Sequence, residues 1–229
     1  MQTIGLIGGM SWESTLPYYR LINQTVREAR GGLHSAKVLL YSVDFHEIEV
    51  LQHAGDWDAA GAAMADAARR LQAGGADFIV LCTNTMHKVA EAITDATPLP
   101  LLHIADATAQ ALIEAGIGRV GLLGTRFTME QDFYRKRLEA RGLEVIVPSA
   151  PDRDTVHRII YDELCQGVID DASREAYREV MTRLVAAGAE GIILGCTEIS
   201  LLVGEADASV PLFDTTTLHA RTAALHALD

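Results

Sequence analysis

The sequence predicts a doubly wound α/β protein made of two similar halves. Three observations carry that expectation: short unbroken apolar runs, amphipathic stretches between them, and an internal repeat. The runs are TIGLIG, KVLLYSV, DFIVLC, LPLLHI, RVGLLG, EVIVP, GIILGC and VPLFD. Apolar runs of this length without alternation are what strands buried on both faces require, so they read as parallel strands covered by helices. Trp57 to Ala73, Met129 to Arg141 and Ser173 to Ala187 have the helical pattern, several of them ending at glycine. Strand and helix in alternation define the α/β class.

The repeat gives the organisation. Ile4-Gly-Leu-Ile-Gly8 returns as Val120-Gly-Leu-Leu-Gly124, and GADFIVLCTNT (Gly75 to Thr85) lies without gaps on GAEGIILGCTE (Gly188 to Glu198). The chain therefore restarts near residue 119. We expect a first half over residues 1–97, joined by the strand and helix of 210–229, and a second half over 98–209. Open α/β sheets hold ligands outside the carboxyl ends of their strands, so two such halves direct attention to a crevice between those ends.

Composition bounds the function. Of 229 residues, 31 are acidic and 19 basic, giving a formal charge of −12. That balance repels phosphate backbones, and no local Lys/Arg cluster offsets it, so nucleic acid is not an expected partner. No apolar run reaches the roughly 18–20 residues of a bilayer span, and the first strand has neither a basic flank nor a cleavage site. No membrane association and a cytoplasmic location are expected. Cys82, Cys165 and Cys196 form neither a CxxC nor a Cys/His cluster with zinc spacing, so reduced thiols and no metal are expected.

Polar residues at the strand ends are the candidates for chemistry. Cys196 closes the run GIILG and precedes Thr197, Glu198 and a helix-like stretch. A helix start lowers a thiol from its reference pKa of about 8.5, so this position predicts an activated cysteine. The ungapped repeat pairs Cys82 with Gly195 and Thr83 with Cys196. Successive strand residues point to opposite sides, which makes Thr83 the counterpart of Cys196. Asn84, Thr85 and Thr197 are hydroxyl and amide donors beside helix starts, suited equally to a substrate carboxylate and to helix capping. Gly8, Gly9, Met10 and Ser11 end the first strand where a backbone can approach a ligand. They lack a full GxGxxG pattern, which disfavours a nicotinamide cofactor.

The Gly-Gly-Met near the N-terminus, Asn84-Thr85-Met86-His87, and Gly195-Cys196-Thr197-Glu198 together resemble the motifs of the aspartate/glutamate racemase superfamily. The likeness runs over essentially the whole chain. It implies two Rossmann-like (flavodoxin-like) halves related by a pseudo-dyad, with the active site in the cleft between them. It also implies racemisation of free amino acids without pyridoxal phosphate or any other cofactor, and a homodimer. In that family two cysteines face opposite sides of the substrate α-carbon; one thiolate removes the proton and the other thiol returns it. Inversion requires this arrangement, since the returning proton must come from the opposite face.

The resemblance places the family's first cysteine on Thr83, in agreement with the internal repeat. A hydroxyl is a poor base beside a thiolate, so an asymmetric Thr83/Cys196 pair is expected, with slower or enantiomer-biased turnover. Glu198 is expected in the substrate pocket. Aspartate-specific relatives carry an arginine after the second strand and a lysine in an E-L-K-x-G-like segment. Here Asp44 to Gln52 contains no arginine, and Glu163-Leu164-Cys165-Gln166-Gly167 has cysteine at the lysine position. Gln52 fits a neutral polar side chain, and a broader amino-acid range is expected. A single-cysteine decarboxylase or isomerase of the same superfamily and a non-catalytic amino-acid sensor remain open alternatives.

Overall fold

The computed structural model describes all residues, 1–229. In chain order the elements are β1 (Thr3–Gly8), α1 (Trp12–Arg30), β2 (Lys37–Ser42), α2 (Phe45–Ala54), α3 (Trp57–Ala73), β3 (Phe78–Leu81), α4 (Ala90–Ala96), β4 (Leu101–Leu102), α5 (Ile104–Glu114), β5 (Arg119–Gly124), α6 (Arg126–Glu130), α7 (Asp132–Glu139), β6 (Glu144–Ile146), α8 (Ala150–Asp162), α9 (Asp171–Ala186), β7 (Gly191–Gly195), α10 (Ile199–Leu202), β8 (Leu212–Asp214) and α11 (Thr215–Leu228). Short 3-10 turns occupy Thr85–Val89, Leu164–Gln166 and Glu205–Asp207. No helix is long and apolar enough to cross a membrane.

The chain forms two compact units, Met1–Ile104 with His219–Asp229, and Ala105–Leu218. Each holds one parallel four-stranded sheet, in the order β2-β1-β3-β4 in the first and β6-β5-β7-β8 in the second. The two orders are the same once the strands of each unit are counted from its own start, as the sequence repeat expects. Each is the doubly wound order in which the second strand of the unit lies outside the first. The last strand differs from expectation. We expected 210–229 to join the first half as strand plus helix, but β8 pairs with β7 in register Ile192↔Leu212, Ile193↔Phe213 and Leu194↔Asp214. Parallel pairing with β8 satisfies the backbone groups on the side of β7 that β5 leaves open, and β8 stays in the second unit while only His219–Asp229 belongs to the first.

The helices form where pattern and caps agree. Asp56 accepts the Ala59 amide at 3.0 Å and opens α3, whose small apolar residues Ala60, Gly61, Met64, Ala67 and Ala68 are buried. The expected helix from Met129 to Arg141 is instead two, because Gln131 adopts extended backbone (φ −94°, ψ 151°) as the C-cap of α6 and the N-cap of α7.

In the first unit β3 separates two cores by strict alternation. Ile79 and Leu81 pack with Met64, Ala67 and Ile93, whereas Phe78, Val80 and Cys82 pack with Tyr18, Ile22 and Ala220. In the second unit Ile192, Leu194 and Cys196 share one core with Val156, Ile159, Tyr177 and Val180 from α8 and α9. These alternations decide which side chains at the strand ends face which layer.

Candidate active site

The second unit's contribution is built at the carboxyl end of β7. Gly124 and Gly195 lie side by side in the β5–β7 register, and a Cβ on either meets the partner strand's backbone. The two strands thus end in a close approach that directs the chain from Gly195 into Cys196. The Cys196 carbonyl accepts the Ile199 amide at 3.1 Å, which turns the chain into α10.

Cys196, Thr197 and Glu198 are all buried, Glu198 to 1% exposure. The Cys196 thiol donates to Glu198 Oε2 at 3.0 Å, and the Thr197 hydroxyl donates to the same oxygen at 2.9 Å. One carboxylate oxygen therefore gathers both donors. Burial raises the Cys196 pKa well above its ordinary value, and the adjacent Glu198 charge raises it further. This corrects the expectation of a lowered thiol pKa. Helix α10 has four residues, too few for a strong N-terminal field, and a carboxylate in contact with the sulfur opposes whatever field remains.

Two further groups of this unit surround the thiol. Cys165, in the turn Leu164–Gln166, packs against the core that contains Cys196, and burial raises its pKa too. Tyr177 of α9 is fully buried in that core, and its hydroxyl donates to the Val156 carbonyl at 3.3 Å. Its phenol is held well above its usual pKa, first by burial and then by neighbouring Cys196. Nothing in the sequence marks Tyr177, since a tyrosine on an amphipathic helix reads as packing. Arg126 does not enter this cluster; it pairs with Asp154 at 2.7 Å on the surface.

In the first unit the comparable segment follows β3. The Cys82 amide donates to Ile7 O at 2.9 Å, and the Thr83 amide folds back to Leu81 O at 2.9 Å. Cys82 is fully buried, with its thiol 3.8 Å from the Val80 carbonyl, in the layer shared with Tyr18 and Ala220. Burial alone raises its pKa. Thr83, on the opposite parity, is 7% exposed. Asn84 and Thr85 are also buried, and Thr85 begins the 3-10 turn that carries His87.

The remaining sequence candidates lie nearby in the same unit. Gly9 has φ +92°, and a side chain there runs into the Val43 carbonyl, so the turn after β1 requires glycine. Its amide donates to Thr15 Oγ1 at 2.9 Å. Met10 is 3% exposed within the core around Ile7, Ile48 and Met86. Gln52 of α2 is also buried, and its Nε2 donates to Met86 Sδ at 3.1 Å. No group of three or more His, Cys, Asp or Glu has the arrangement needed to hold a metal.

The comparisons with known proteins agree with one another. Residues 7–223 match the family described as Asp/Glu/Hydantoin racemase. The broad specificity amino-acid racemase RacX of Bacillus subtilis (strain 168) is 25% identical over 96% of this chain and 95% of its own. Among solved structures, a Yersinia pestis protein described as a candidate Asp/Glu racemase is 62% identical, with a TM-score of 0.92 over 100% of both chains. An aspartate racemase homologue from Pyrococcus horikoshii OT3 is 35% identical, with a TM-score of 0.86 over 100% of both. With the match running through both units and all three motifs, the chain belongs to the Asp/Glu/hydantoin racemase family.

Proposed function

We propose that this protein is a cofactor-independent racemase of free amino acids, in which Cys196 and Thr83 address opposite faces of the substrate α-carbon in a cleft between the two halves. The observation that carries the reading is the Cys196–Glu198 pair at the end of β7, a buried thiol already hydrogen-bonded to a carboxylate. Transfer of the thiol proton along that bond leaves a thiolate next to a neutral carboxylic acid. The thiolate then takes the α-proton of the enantiomer that turns it toward Cys196. A proton from the Thr83 hydroxyl, resupplied from solvent, completes inversion on the other face, and the reverse reaction runs through the same groups.

The developing enediolate needs donors aimed at the substrate carboxylate. Asn84 and Thr85 supply them with their side chains and Thr197, whose hydroxyl is given to Glu198, with its backbone amide, while Met10, Gln52 and Glu198 line the remainder of the pocket. The reading of two similar halves gains support from the identical strand orders of the two sheets. The assignment of Thr83 rather than Cys82 is supported by parity. By sequence parity Thr83 follows Ile79 and Leu81 as Cys196 follows Ile192 and Leu194, whereas Cys82 packs in the other layer with Phe78 and Val80.

The substrate range is broad rather than restricted to aspartate. Cys165 stands where a lysine would meet a side-chain carboxylate, and an unpaired buried carboxylate costs several kcal/mol. Gln52 offers hydrogen bonds to a neutral polar group instead. The protein works as a homodimer in the cytoplasm on a small-molecule substrate, without nucleic acid. Sedimentation equilibrium tests the dimer.

The deciding experiment incubates the protein in heavy water with a panel of L- and D-amino acids and reads deuterium at the α-carbon. Incorporation that disappears in Cys196→Ala is expected. If no amino acid exchanges while Cys196→Ala binds amino acids normally, the proposal fails and a sensor takes its place.

A further inference from the structure

His87 is a member of the Asn-Thr-Met-His motif, and it is 3% exposed. Both of its ring nitrogens are committed to the backbone. Nδ1 lies 2.7 Å from the carbonyl of Thr83, and Nε2 receives the amide N–H of Ile104 at 3.2 Å. A ring nitrogen facing a carbonyl must carry the proton, and one facing an N–H must present its lone pair. The two bonds therefore define a neutral ring in the Nδ1–H form; a second ring proton would meet the Ile104 N–H head on. This ring has no proton to give and no lone pair to offer a substrate.

What the ring does hold is Thr83. The Thr83 amide is bound to Leu81 O at 2.9 Å, and its carbonyl is bound to His87, so both peptide groups that set the direction of its side chain are fixed. The anchor behind His87 is fixed in turn. His219 Nε2 holds the carbonyl of Leu102 at 3.0 Å and Tyr18 Oη holds His219 Nδ1 at 2.9 Å, while the His103 ring covers His87 at 4.3 Å between centroids. Leu102 and Ile104 flank His103, so the segment that grips His87 is itself gripped by Tyr18 and His219.

We propose that His87 is a positioning residue for Thr83: its neutral ring fixes the Thr83 carbonyl and so aims the Thr83 hydroxyl at the substrate α-carbon. This rests on the reading of Thr83 as the second proton-transfer group. Two variants separate the bonds of the ring. The Asn amide nitrogen takes the place of Nδ1 and keeps a donor for Thr83 O; the Gln carbonyl oxygen takes the place of Nε2 and keeps an acceptor for Ile104 N–H.

The test measures deuterium entry at the α-carbon from each enantiomer of the best substrate, with KM, in His87→Gln, His87→Asn and Thr83→Ala. Nitrogen-15 spectra of the histidines in the unmodified protein accompany it. We expect an Nδ1–H neutral signal for His87. In His87→Gln, exchange from the enantiomer that depends on Thr83 falls on the order of tenfold or more, with KM within about twofold, because small misplacements of a reacting group are costly in rate. His87→Asn recovers most of that loss.

Equal losses for both enantiomers in both His87 variants, an unchanged enantiomer ratio in His87→Gln, or an Nε2–H or charged ring overturn the proposal. If Thr83→Ala shifts the ratio and His87→Gln does not, only the positioning role falls. If Thr83→Ala itself leaves rate and ratio unchanged, the reading of Thr83 falls and takes the positioning role with it.

Discussion

Cys196 donates its thiol proton to Glu198 Oε2 across 3.0 Å, two residues along the chain and out of solvent. The contact has opposing consequences. Glu198 is the group nearest to receive the proton when the sulfur must act as a base, yet its charge also makes the free thiolate harder to form. The resting state is therefore a stored proton shared toward a carboxylate rather than a standing thiolate.

Glu198→Gln separates those consequences. With the charge gone, Cys196 titrates at lower pH than in the unmodified protein, although burial still holds it above the ordinary thiol. With the proton-accepting carboxylate gone, α-proton exchange falls by about 100-fold or more, on the scale of a lost general base. Alkylation by iodoacetamide as a function of pH reads the first effect, and deuterium wash-in reads the second. An alkylation profile that stays in place would sink the electrostatic account.

Thr83 offers the converse test. Thr83→Cys supplies the second face with a thiol, and we expect racemisation to rise about tenfold with the enantiomer bias reduced, because a thiolate is a far better base than a hydroxyl. Thr83→Ala deepens the bias instead. Progress curves followed from each pure enantiomer by circular dichroism distinguish them. A Thr83→Cys variant that is folded and no faster would place the second proton elsewhere.

The strand plan was legible because buried parallel strands have nothing polar to interrupt them, so TIGLIG and RVGLLG announce both the strands and the repeat. Trp57 to Ala73 was legible for a local reason, with Asp56 as its cap. What was not legible depends on contacts distant in sequence or on small backbone choices. The pairing of β8 with β7 rather than with the first sheet is a long-range matter, as is the grip of Ile104 on His87. The break at Gln131 involves neither glycine nor proline. The sequence marked Cys196 as chemically important but gave the wrong sign for its pKa, because the length of α10 and the aim of Glu198 emerge only on folding.

Cys82 tests the assignment of parity. Its thiol fills space among Tyr18, Val80 and Ala220 and makes only the long contact to Val80 O. Cys82→Ala removes one buried sulfur, so we expect a loss of about 1 kcal/mol in stability with exchange rates unaffected. Urea unfolding and deuterium wash-in on the same preparation check both. Abolished exchange in a folded Cys82→Ala protein would reverse the roles of Cys82 and Thr83.

The buried thiols also set a dependence of stability on pH. Cys82, Cys165 and Cys196 are all raised by burial above their unfolded value of about 8.5. A group whose folded pKa is raised contributes stability in full below the unfolded pKa and loses it as the pH climbs toward the folded one. Below about pH 8 both states keep all the thiol protons, so these groups impose no slope there. Above about pH 8.5 the unfolded chain releases protons that the folded chain retains, and each thiol then lowers the unfolding free energy by about 1.4 kcal/mol per pH unit. The three together approach about 4 kcal/mol per unit, and above about pH 10 the buried Tyr134 and Tyr177, both raised by burial, steepen the fall. Urea midpoints between pH 7 and pH 10 should therefore be level at first and then drop, with Cys82→Ala removing roughly a third of the thiol slope. A flat profile through this range, or a slope that Cys82→Ala leaves untouched, would mean that the thiols ionise in the folded protein and that the cores around them admit water.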